Sequence, residues 1–433
     1  MRIPNDVNFR FKEKLALAAM QGNNVFENEF NKLCNLKVYR LHKVTVTDIF
    51  RNYWLDLLKA YPGNIRPSII KTVDALIGCK DFSKGHLFYE CPNCYNFHMT
   101  GFSCHARFCF SCGKKYRDAR SINIQKKLIN SPHRHFVFSI PYDLRPFFWK
   151  CRKLFDCLFS AVNDALLLSI SRSRAEKRND LRLGFVSFLH TSGRSLNIHP
   201  HLHVLLAEKS IDKFGNKKKI HYFPFKRLKK SFMYSFLSKA NLAIKKMNDP
   251  VLYKEFNIVR SYCLRRYKDG FYVHGPANKK SKSYVKSSKE TADYISRYAS
   301  HPPISESNIL SLDEDNHTIT WTYTPHEDPD NPVIVTEHVF KFIAKLIRHI
   351  PDSKTHVLRY YGFYANRSSR RTIKINKLFR ISFLNKLKTN LKWRIMIIQT
   401  YKYDPLLCSC GGVMTLNTDF SFYGEYDWRD FDE

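Results

Sequence analysis

The 433-residue sequence has no apolar run long enough to form a membrane-spanning helix, so no transmembrane segment is predicted. Its first residues, MRIPNDVNFRFKEK, lack the apolar core of a secretory signal peptide. Acidic residues are scarce, with 38 Asp and Glu against 72 Lys and Arg, which gives a net charge of +34. This basic excess calls for a polyanionic partner, most commonly nucleic acid. We therefore expect a cytoplasmic protein that binds nucleic acid and has no membrane partner.

A disulfide framework is also not expected, because the 12 cysteines are unevenly spread and five of them fall between Cys91 and Cys112. That spacing suits zinc in a reducing compartment better than disulfides. Two C-x-x-C pairs are separated by 14 residues, and two such pairs can complete a tetrahedral thiolate shell around Zn²⁺. The predicted structural zinc ligands are Cys91, Cys94, Cys109 and Cys112. Between the pairs, three residues could each replace one ligand: His98, Cys104 and His105.

A second candidate metal site lies in residues 183–207, LGFVSFLHTSGRSLNIHPHLHVLLA, which read as a strand, a loop and a strand. Side chains two apart on a strand share a face, so His201 and His203 point the same way. If the strands pair as a hairpin, His190 falls near them, and His199 is the rival third member. Three imidazoles on one face predict a metal site. The alternative, a set of buried hydrogen-bonded histidines, would place mutually repelling groups together once they are protonated.

The order of elements from residue 134 onward is predicted as strand, helix, strand, strand, helix, strand, helix. The long helices are expected at about 145–171 and 226–247. This order predicts an α+β fold with an antiparallel sheet and packed helices. The expected divisions are an extension (1–44), a helical and zinc-binding domain (45–125), the domain with the histidine hairpin (132–310), a hairpin, helix and basic segment (311–400) and a tail (401–433). Residues 315–350 are expected to pack beside the histidine domain.

A tyrosine pair forms the third candidate site. SSKETADYISRYASHPP predicts a helix that begins with a capping box, Ser287 with Glu290, and ends before two prolines. Tyr294 and Tyr298 are four residues apart and so share a helix face. Such a pair is usually part of a core or an ordinary surface. A functional role is favoured by the upstream histidines and by nearby basic residues, which are Lys282, Lys286 and Arg297.

Together, these residues allow transesterification on DNA. A divalent cation at the histidines can polarise a phosphodiester as a Lewis acid. A tyrosine phenolate can then attack phosphorus and form a covalent phosphotyrosine, which keeps the bond energy for later rejoining. Two tyrosines one helical turn apart allow two such events without release of the DNA.

Several motifs resemble those of a known family. His201-Leu202-His203 resembles the His–hydrophobic–His motif of the HUH single-strand nucleases. Tyr294-Ile-Ser-Arg-Tyr298 followed by HPP is similar to the paired-tyrosine motif of the insertion sequence 91 transposase family, and FSCHARFCFSCGK resembles that family's N-terminal zinc-binding domain. HTSGRSLNIHPHLHVLL and RYYGFYANRSSRR also resemble its recurring segments. The motifs occur in the family's order between about residues 46 and 412.

The resemblance implies a bacterial, DNA-associated enzyme of rolling-circle transposition, with residues 132–310 as the HUH nuclease domain. It implies a nick in single-stranded DNA at the element's end, a 5′ phosphate joined to tyrosine, and Mg²⁺ or Mn²⁺ as cofactor. The histidine stretch also resembles that of HUH relaxases, in which a histidine precedes the His-x-His pair by a similar interval. This resemblance supports His190 as the third metal ligand. Two alternatives are a rolling-circle replication initiator or relaxase and a non-enzymatic zinc-ribbon regulator. The oligomeric state is left open.

The C-terminal third adds a basic segment and a cysteine pair. Residues 359–371 mix arginines with aromatic residues, as single-stranded DNA binders do so that bases can stack, although an ordinary surface loop has the same composition. Its candidate DNA contacts are Arg359, Arg367, Arg370 and Arg371. Cys408-Ser-Cys410-Gly-Gly is one residue shorter than the family's C-x-x-C-Gly-Gly tail, so the sequence leaves a second zinc site open, and the acidic end is expected in solvent.

Overall fold

A computed structural model of the chain describes residues 44–104, 109, 112–113, 121, 124, 128–129, 131–170, 182–211, 217–219, 224–275, 284–285, 303–365 and 393–422, except 64, 326 and 354. The chain divides into two compact units. The described residues of the first lie within Met1–Tyr116, Ile304–Asp352 and Asn390–Glu433, and those of the second within Arg117–Pro303 and Ser353–Thr389. Among the described helices, none has the length and apolar character needed to cross a membrane.

Helices and antiparallel sheets both occur in the described residues, which confirms the predicted α+β class. The helices are α1 (Val46–Ala60), α2 (Pro67–Ile77), α3 (Phe147–Lys150), α4 (Leu154–Ile170), α5 (Phe225–Lys245), α6 (Pro250–Arg266), α7 (Val339–Ile347) and α8 (Trp393–Tyr401). The strands are β1 (His86–Glu90), β2 (Phe97–Gly101), β3 (His133–Ser139), β4 (Gly184–Ser192), β5 (Ile198–Ala207), β6 (Lys209–Ile211), β7 (Lys217–Lys219), β8 (Val273–His274), β9 (Tyr284–Val285), β10 (Ile309–Asp313), β11 (Thr318–Tyr323), β12 (Val333–His338), β13 (Leu358–Gly362) and β14 (Thr415–Phe422).

In the first unit, the two N-terminal helices begin at local signals in the sequence. Thr45 and Asp48 make a capping box at the start of α1, in which each side chain accepts a hydrogen bond from the other's backbone N–H. Pro67 occupies the first turn of α2, where an intrahelical N–H bond is not required. The helices bury facing side chains, and the indole N–H of Trp54 donates to Asp74 at 3.1 Å.

Two small sheets complete the first unit. One has the order β14-β1-β2, so a strand from the C-terminal end pairs with the N-terminal hairpin. The other has the order β10-β11-β12 and is followed by α7, which packs on α1. Residues 315–350 belong to the same unit as α1 and α2. The side chains of Tyr53 and His317 form one contact within this unit, with ring centroids 5.7 Å apart.

The second unit is built on a six-stranded antiparallel sheet. Its order is β13-β4-β5-β3-β8, and β9 also pairs with β3. Because side chains alternate along a strand, the sheet has two different faces. One face packs on α3, α4, α5 and α6 through apolar residues such as Phe138, Leu189 and Leu202. The opposite face contains a smaller apolar cluster around Val186, Phe188 and Leu205, and the histidines described below.

In this unit one predicted helix differs from the structure, and one helix was not predicted. The helix predicted over 145–171 is interrupted at Cys151, which is extended, so that Phe148 and Phe155 can pack with ring centroids 5.0 Å apart. Helix α6 was not predicted from the sequence. Its start is marked by Asp249, whose side chain accepts from the N–H of Leu252, and by Pro250 in the first turn.

Candidate functional site

Three histidines meet on the face of the large sheet that is opposite the helices. His190 on β4 lies directly across from His201 on β5, and His203 follows two residues later on the same face. The ring centroids are 5.3 Å apart for His190 and His201, 5.0 Å for His201 and His203, and 4.6 Å for His190 and His203. One nitrogen from each ring lies within 4.8 Å of the others. A single divalent cation fits between three such donors.

Hydrogen bonds select which ring nitrogens face the cation. The Nδ1 atom of His201 lies 2.6 Å from the carbonyl oxygen of His199, so it donates there. The Nδ1 atom of His203 lies 2.8 Å from Nε2 of His135, a buried histidine on β3. In both residues Nε2 is then the nitrogen that would coordinate. Metal-binding histidines generally donate their other N–H in this way, which fixes the tautomer and the ring orientation.

Burial favours the neutral form of His201, His203 and the neighbouring His135. Burial lowers the pKa of His201, the hydrogen bond to the His199 carbonyl opposes this, and the charge of Arg145 lowers it further. Burial and then the neighbouring histidines hold the pKa of His203 well below its ordinary value. The pKa of His135 is lowered to about 4 by burial, His274 and His201. At neutral pH His201 and His203 are therefore available as uncharged metal donors, and His135 is an uncharged partner for His203.

The structure places the two candidates for third ligand differently. His190 belongs to the cluster, whereas the Nε2 atom of His199 lies 2.6 Å from the hydroxyl of Ser139. Burial, Arg145 and His201 together lower the pKa of His199 to about 4. His199 thus lies beside the cluster and orients His201 through its carbonyl.

The predicted catalytic tyrosines and most of the predicted DNA-binding residues lie outside the described part of the chain. These are Tyr294, Tyr298, Lys282, Lys286, Arg297, Arg367, Arg370 and Arg371. The acidic end after residue 422 also lies outside it. Arg359 is described, and it pairs with Asp156 and lies over the ring of Phe159, 4.1 Å from the centroid. Its guanidinium therefore has protein partners and helps to fix β13 on α4.

The four cysteines predicted as one zinc site are divided between two clusters in the first unit. Cys109 and Cys112 meet Cys79 and Cys104, and the measured Sγ–Sγ distances are 3.5 Å for Cys79 and Cys112, 3.7 Å for Cys104 and Cys112, and 3.6 Å for Cys79 and Cys109. A tetrahedron with Zn–S bonds of about 2.3 Å has edges of about 3.8 Å, so this set fits Zn²⁺. Backbone N–H groups of Cys104 and Cys112 donate to sulfurs of the cluster.

Cys91 and Cys94 meet Cys408 and Cys410 instead, so the single four-cysteine site predicted from the C-x-x-C pairs does not form. The physical reason is that β14 pairs with β1, which brings the C-terminal cysteines to the first C-x-x-C turn. Three further residues of these sites were not predicted from the sequence: Cys79, His135 and Arg145. None of the three belongs to a recognisable local motif. Each is brought to its site by strand pairing or helix packing.

Two family models match the chain. Residues 184–372 match a family model described as "Putative transposase", and residues 49–140 match one described as "Transposase zinc-binding domain". No solved structure matches the chain.

Two curated proteins are similar over most of the chain. The "Transposase for insertion sequence element IS801" of Pseudomonas savastanoi pv. phaseolicola is 30% identical over 322 residues, which cover 72% of this chain and 74% of that protein. The "Putative transposase y4qJ" of Sinorhizobium fredii (strain NBRC 101917 / NGR234) is 24% identical over 332 residues, which cover 74% of this chain and 80% of that protein.

Proposed function

The chain belongs to the insertion sequence 91 family of transposases, and from that premise we propose that it nicks and rejoins single-stranded DNA through a covalent tyrosine intermediate. The observation that most supports this reaction is the group of three imidazoles, His190, His201 and His203, on one face of an antiparallel sheet. Both similar proteins are named as transposases, which favours this reading over a replication initiator or a regulator without chemistry.

The proposed metal site has a defined role for each histidine. His190, His201 and His203 would hold Mg²⁺ or Mn²⁺, which supplies Lewis-acid polarisation of the scissile phosphate when bound. Imidazole donors favour softer ions than Mg²⁺, so Mn²⁺ should work at least as well in vitro. Arg145, whose charge acts on His199 and His201, adds positive potential where a phosphodiester would lie. His135 keeps the His203 ring in its binding orientation.

The proposed nucleophiles are Tyr294 and Tyr298. The phenol loses its proton, its oxygen attacks phosphorus, and the bond from phosphorus to the 3′ oxygen breaks. The leaving 3′ oxygen takes up a proton, so the products are a 5′ phosphotyrosine and a free 3′ hydroxyl. Because one phosphate ester replaces another, the reverse attack by a 3′ hydroxyl rejoins the strand. The second tyrosine would serve the second strand transfer.

A covalent-adduct assay tests the proposal. Purified protein is incubated with Mn²⁺ and a single-stranded oligonucleotide from the element's end, and the adduct is located by peptide mapping. We expect the adduct at Tyr294 or Tyr298, and none in the protein with both changed to Phe, which keeps the rings. An adduct at Tyr284, or one that persists in the double variant, would remove the catalytic role from these tyrosines.

The same assay tests the histidines against a matched control. His201→Ala and His203→Ala should abolish the adduct but leave DNA binding nearly intact, because phosphate contacts supply most of the affinity. His190→Ala should behave like them, whereas His199→Ala keeps the three proposed ligands and should retain activity at raised Mn²⁺. Wild-type nicking by His201→Ala would contradict the metal site.

A further inference from the structure

We propose that the protein binds a second structural Zn²⁺ through four cysteines that come from opposite ends of the chain, and that this ion fastens the C-terminal strand to the zinc-binding domain. The four ligands are Cys91, Cys94, Cys408 and Cys410. Their sulfurs all lie within 4.8 Å of one another, and the Cys91–Cys410 and Cys94–Cys408 distances are both 3.5 Å. These distances fit a tetrahedral thiolate shell, whose edges are about 3.8 Å for Zn–S bonds of about 2.3 Å.

Each cysteine pair lies in a tight backbone turn that aims its sulfurs at the other pair. In the first turn the Cys91 N–H donates to the carbonyl of Asn96 at 2.8 Å, and the Tyr95 N–H donates to the carbonyl of Cys91 at 2.9 Å. In the second turn the Cys408 N–H donates to the carbonyl of Gly412 at 2.8 Å. The C-x-C spacing of the second pair is therefore accommodated, because Gly411, with φ at +86°, closes the turn.

The two turns approach so closely that a side chain is excluded at Gly412. A Cβ atom added there would lie 2.9 Å from the Cys91 sulfur and 2.8 Å from the side-chain nitrogen of Asn93. Gly412 therefore meets the first cysteine turn directly. The contact with Asn93 involves no sulfur, and it shows separately that the two turns pack closely together.

Strand pairing holds the two turns in this position. β14 runs antiparallel to β1, with Glu90 across from Thr415, so the cysteine turns continue from adjacent ends of paired strands. The side chain of Asn417 donates to the Glu90 carboxylate at 3.3 Å, and the Phe88 N–H donates to the hydroxyl of Ser421 at 3.0 Å. The pairing alone would align the backbones, but it gives no reason for four sulfurs to converge beyond the strand ends.

Apolar packing does not account for the cluster. Cys91 and Cys408 are buried with Tyr89 and Met414, but Cys94 and Cys410 are exposed. Because these two thiols are exposed, burial in an apolar core does not explain their position. Metal coordination does explain it, since four thiolates complete the tetrahedral shell of Zn²⁺. Disulfides are absent from the cluster, since the sulfurs are well beyond the S–S bond length of about 2.05 Å.

The proposed site takes Cys91 and Cys94 from the range of the zinc-binding family model and its other two ligands from outside that range. The cluster with Cys79, Cys104, Cys109 and Cys112 lies wholly within residues 49–140, the range of the zinc-binding family model. Cys408 and Cys410 lie outside that range and outside 184–372. The second ion would join positions more than 300 residues apart in sequence. Its binding free energy would therefore stabilise the closure of a very long loop.

Elemental analysis of the full-length chain tests this proposal without reference to DNA cleavage. After desalting, we expect two Zn²⁺ per chain in the wild type and one in the variant with Cys408→Ser and Cys410→Ser. Ser409→Ala changes the residue between them and should keep two ions, as should Cys263→Ser, which alters a buried cysteine outside both clusters. One ion per chain in the wild type, or two in the double serine variant, would overturn the proposal.

Thiol alkylation of the wild type gives a second readout that does not depend on how a variant folds. Cys94 and Cys410 are exposed, so without zinc they should react readily. We expect both to resist alkylation until a chelator removes the metal, with the modified sites identified by mass spectrometry. Rapid alkylation before the chelator is added would refute a bound ion. Protection that a reductant relieves and a chelator does not would show a disulfide and would also refute it.

Discussion

His135 provides a sharp test of the metal site, because it contacts the proposed metal only through another residue. Its Nε2 atom lies 2.8 Å from Nδ1 of His203, and the two rings stack with centroids 5.0 Å apart and planes inclined by 7°. We consider His135→Phe, which keeps a flat ring in the stack and removes the acceptor. The Nδ1–H of His203 then loses this partner, and the ring loses the contact that selects its tautomer.

The expected size of the effect follows from the burial of both rings. His135 and His203 are only 5% and 9% exposed, so water replaces the missing acceptor poorly. Removing one partner of a buried hydrogen bond costs about 1–3 kcal/mol. Loss of such an outer hydrogen bond typically weakens metal affinity by about 10- to 100-fold. We therefore expect Mn²⁺ affinity to fall by about 10- to 100-fold, and nicking to recover at saturating Mn²⁺.

Calorimetric titration with Mn²⁺ measures this directly, with adduct formation against Mn²⁺ concentration as a second readout. His135→Gln supplies an amide oxygen as acceptor and should retain more of the affinity than His135→Phe. His274→Phe makes the same chemical change at an exposed histidine on the neighbouring strand β8 and should leave Mn²⁺ affinity unchanged. Wild-type Mn²⁺ affinity in His135→Phe would refute the role of this hydrogen bond.

Two further predictions concern stability. Burial lowers the pKa of His133 to about 4, so below about pH 6.5 the unfolded chain binds a proton that the folded chain does not. Protonation of the unfolded chain at this residue should therefore lower the free energy of unfolding by about 3 kcal/mol between pH 6.5 and 4. In urea denaturation, the free energy of unfolding of His133→Phe should depend less on pH than that of the wild type. The same dependence on pH in both proteins would contradict this prediction. Gly362→Ala should lower the melting temperature strongly, because φ is +60° and a Cβ would lie 1.5 Å from the Leu183 oxygen. Gly63 has φ +76° but open space around it, so Gly63→Ala should lower the free energy of unfolding by only about 1 kcal/mol.

Local patterns in the sequence were sufficient for much of the fold. The capping box before α1, Pro67 at the start of α2 and the alternation of β4 and β5 all depend on residues within a few positions of each other. The interruption at Cys151 was not predictable in this way. It results from how the rings of α3 and α4 pack, and apolar periodicity continues across it.

The cysteine clusters show where local spacing misleads. Two C-x-x-C pairs that are close in sequence predict a shared metal, and that inference assumes that the two turns face each other. Here each turn meets cysteines without a C-x-x-C spacing, Cys79 and Cys104 in one cluster and Cys408 and Cys410 in the other. Which pair faces which is decided by the pairing of β1 with β14, a contact between residues more than 300 positions apart. No pattern within either segment contains that information.

The convergence of His190, His201 and His203 on one face was predictable from the pairing of β4 with β5. A hairpin has one register in which His190 lies across from His201, and that register places Leu189 and Leu202 together on the helix-covered face. A slip of one residue would move His190 to the helix face and expose the apolar residues, so burial of the core excludes it. The same apolar alternation that stabilises the sheet therefore fixes the imidazoles on one face. His135 joins them because β3 pairs with β5, a long-range contact that the hairpin sequence alone does not specify.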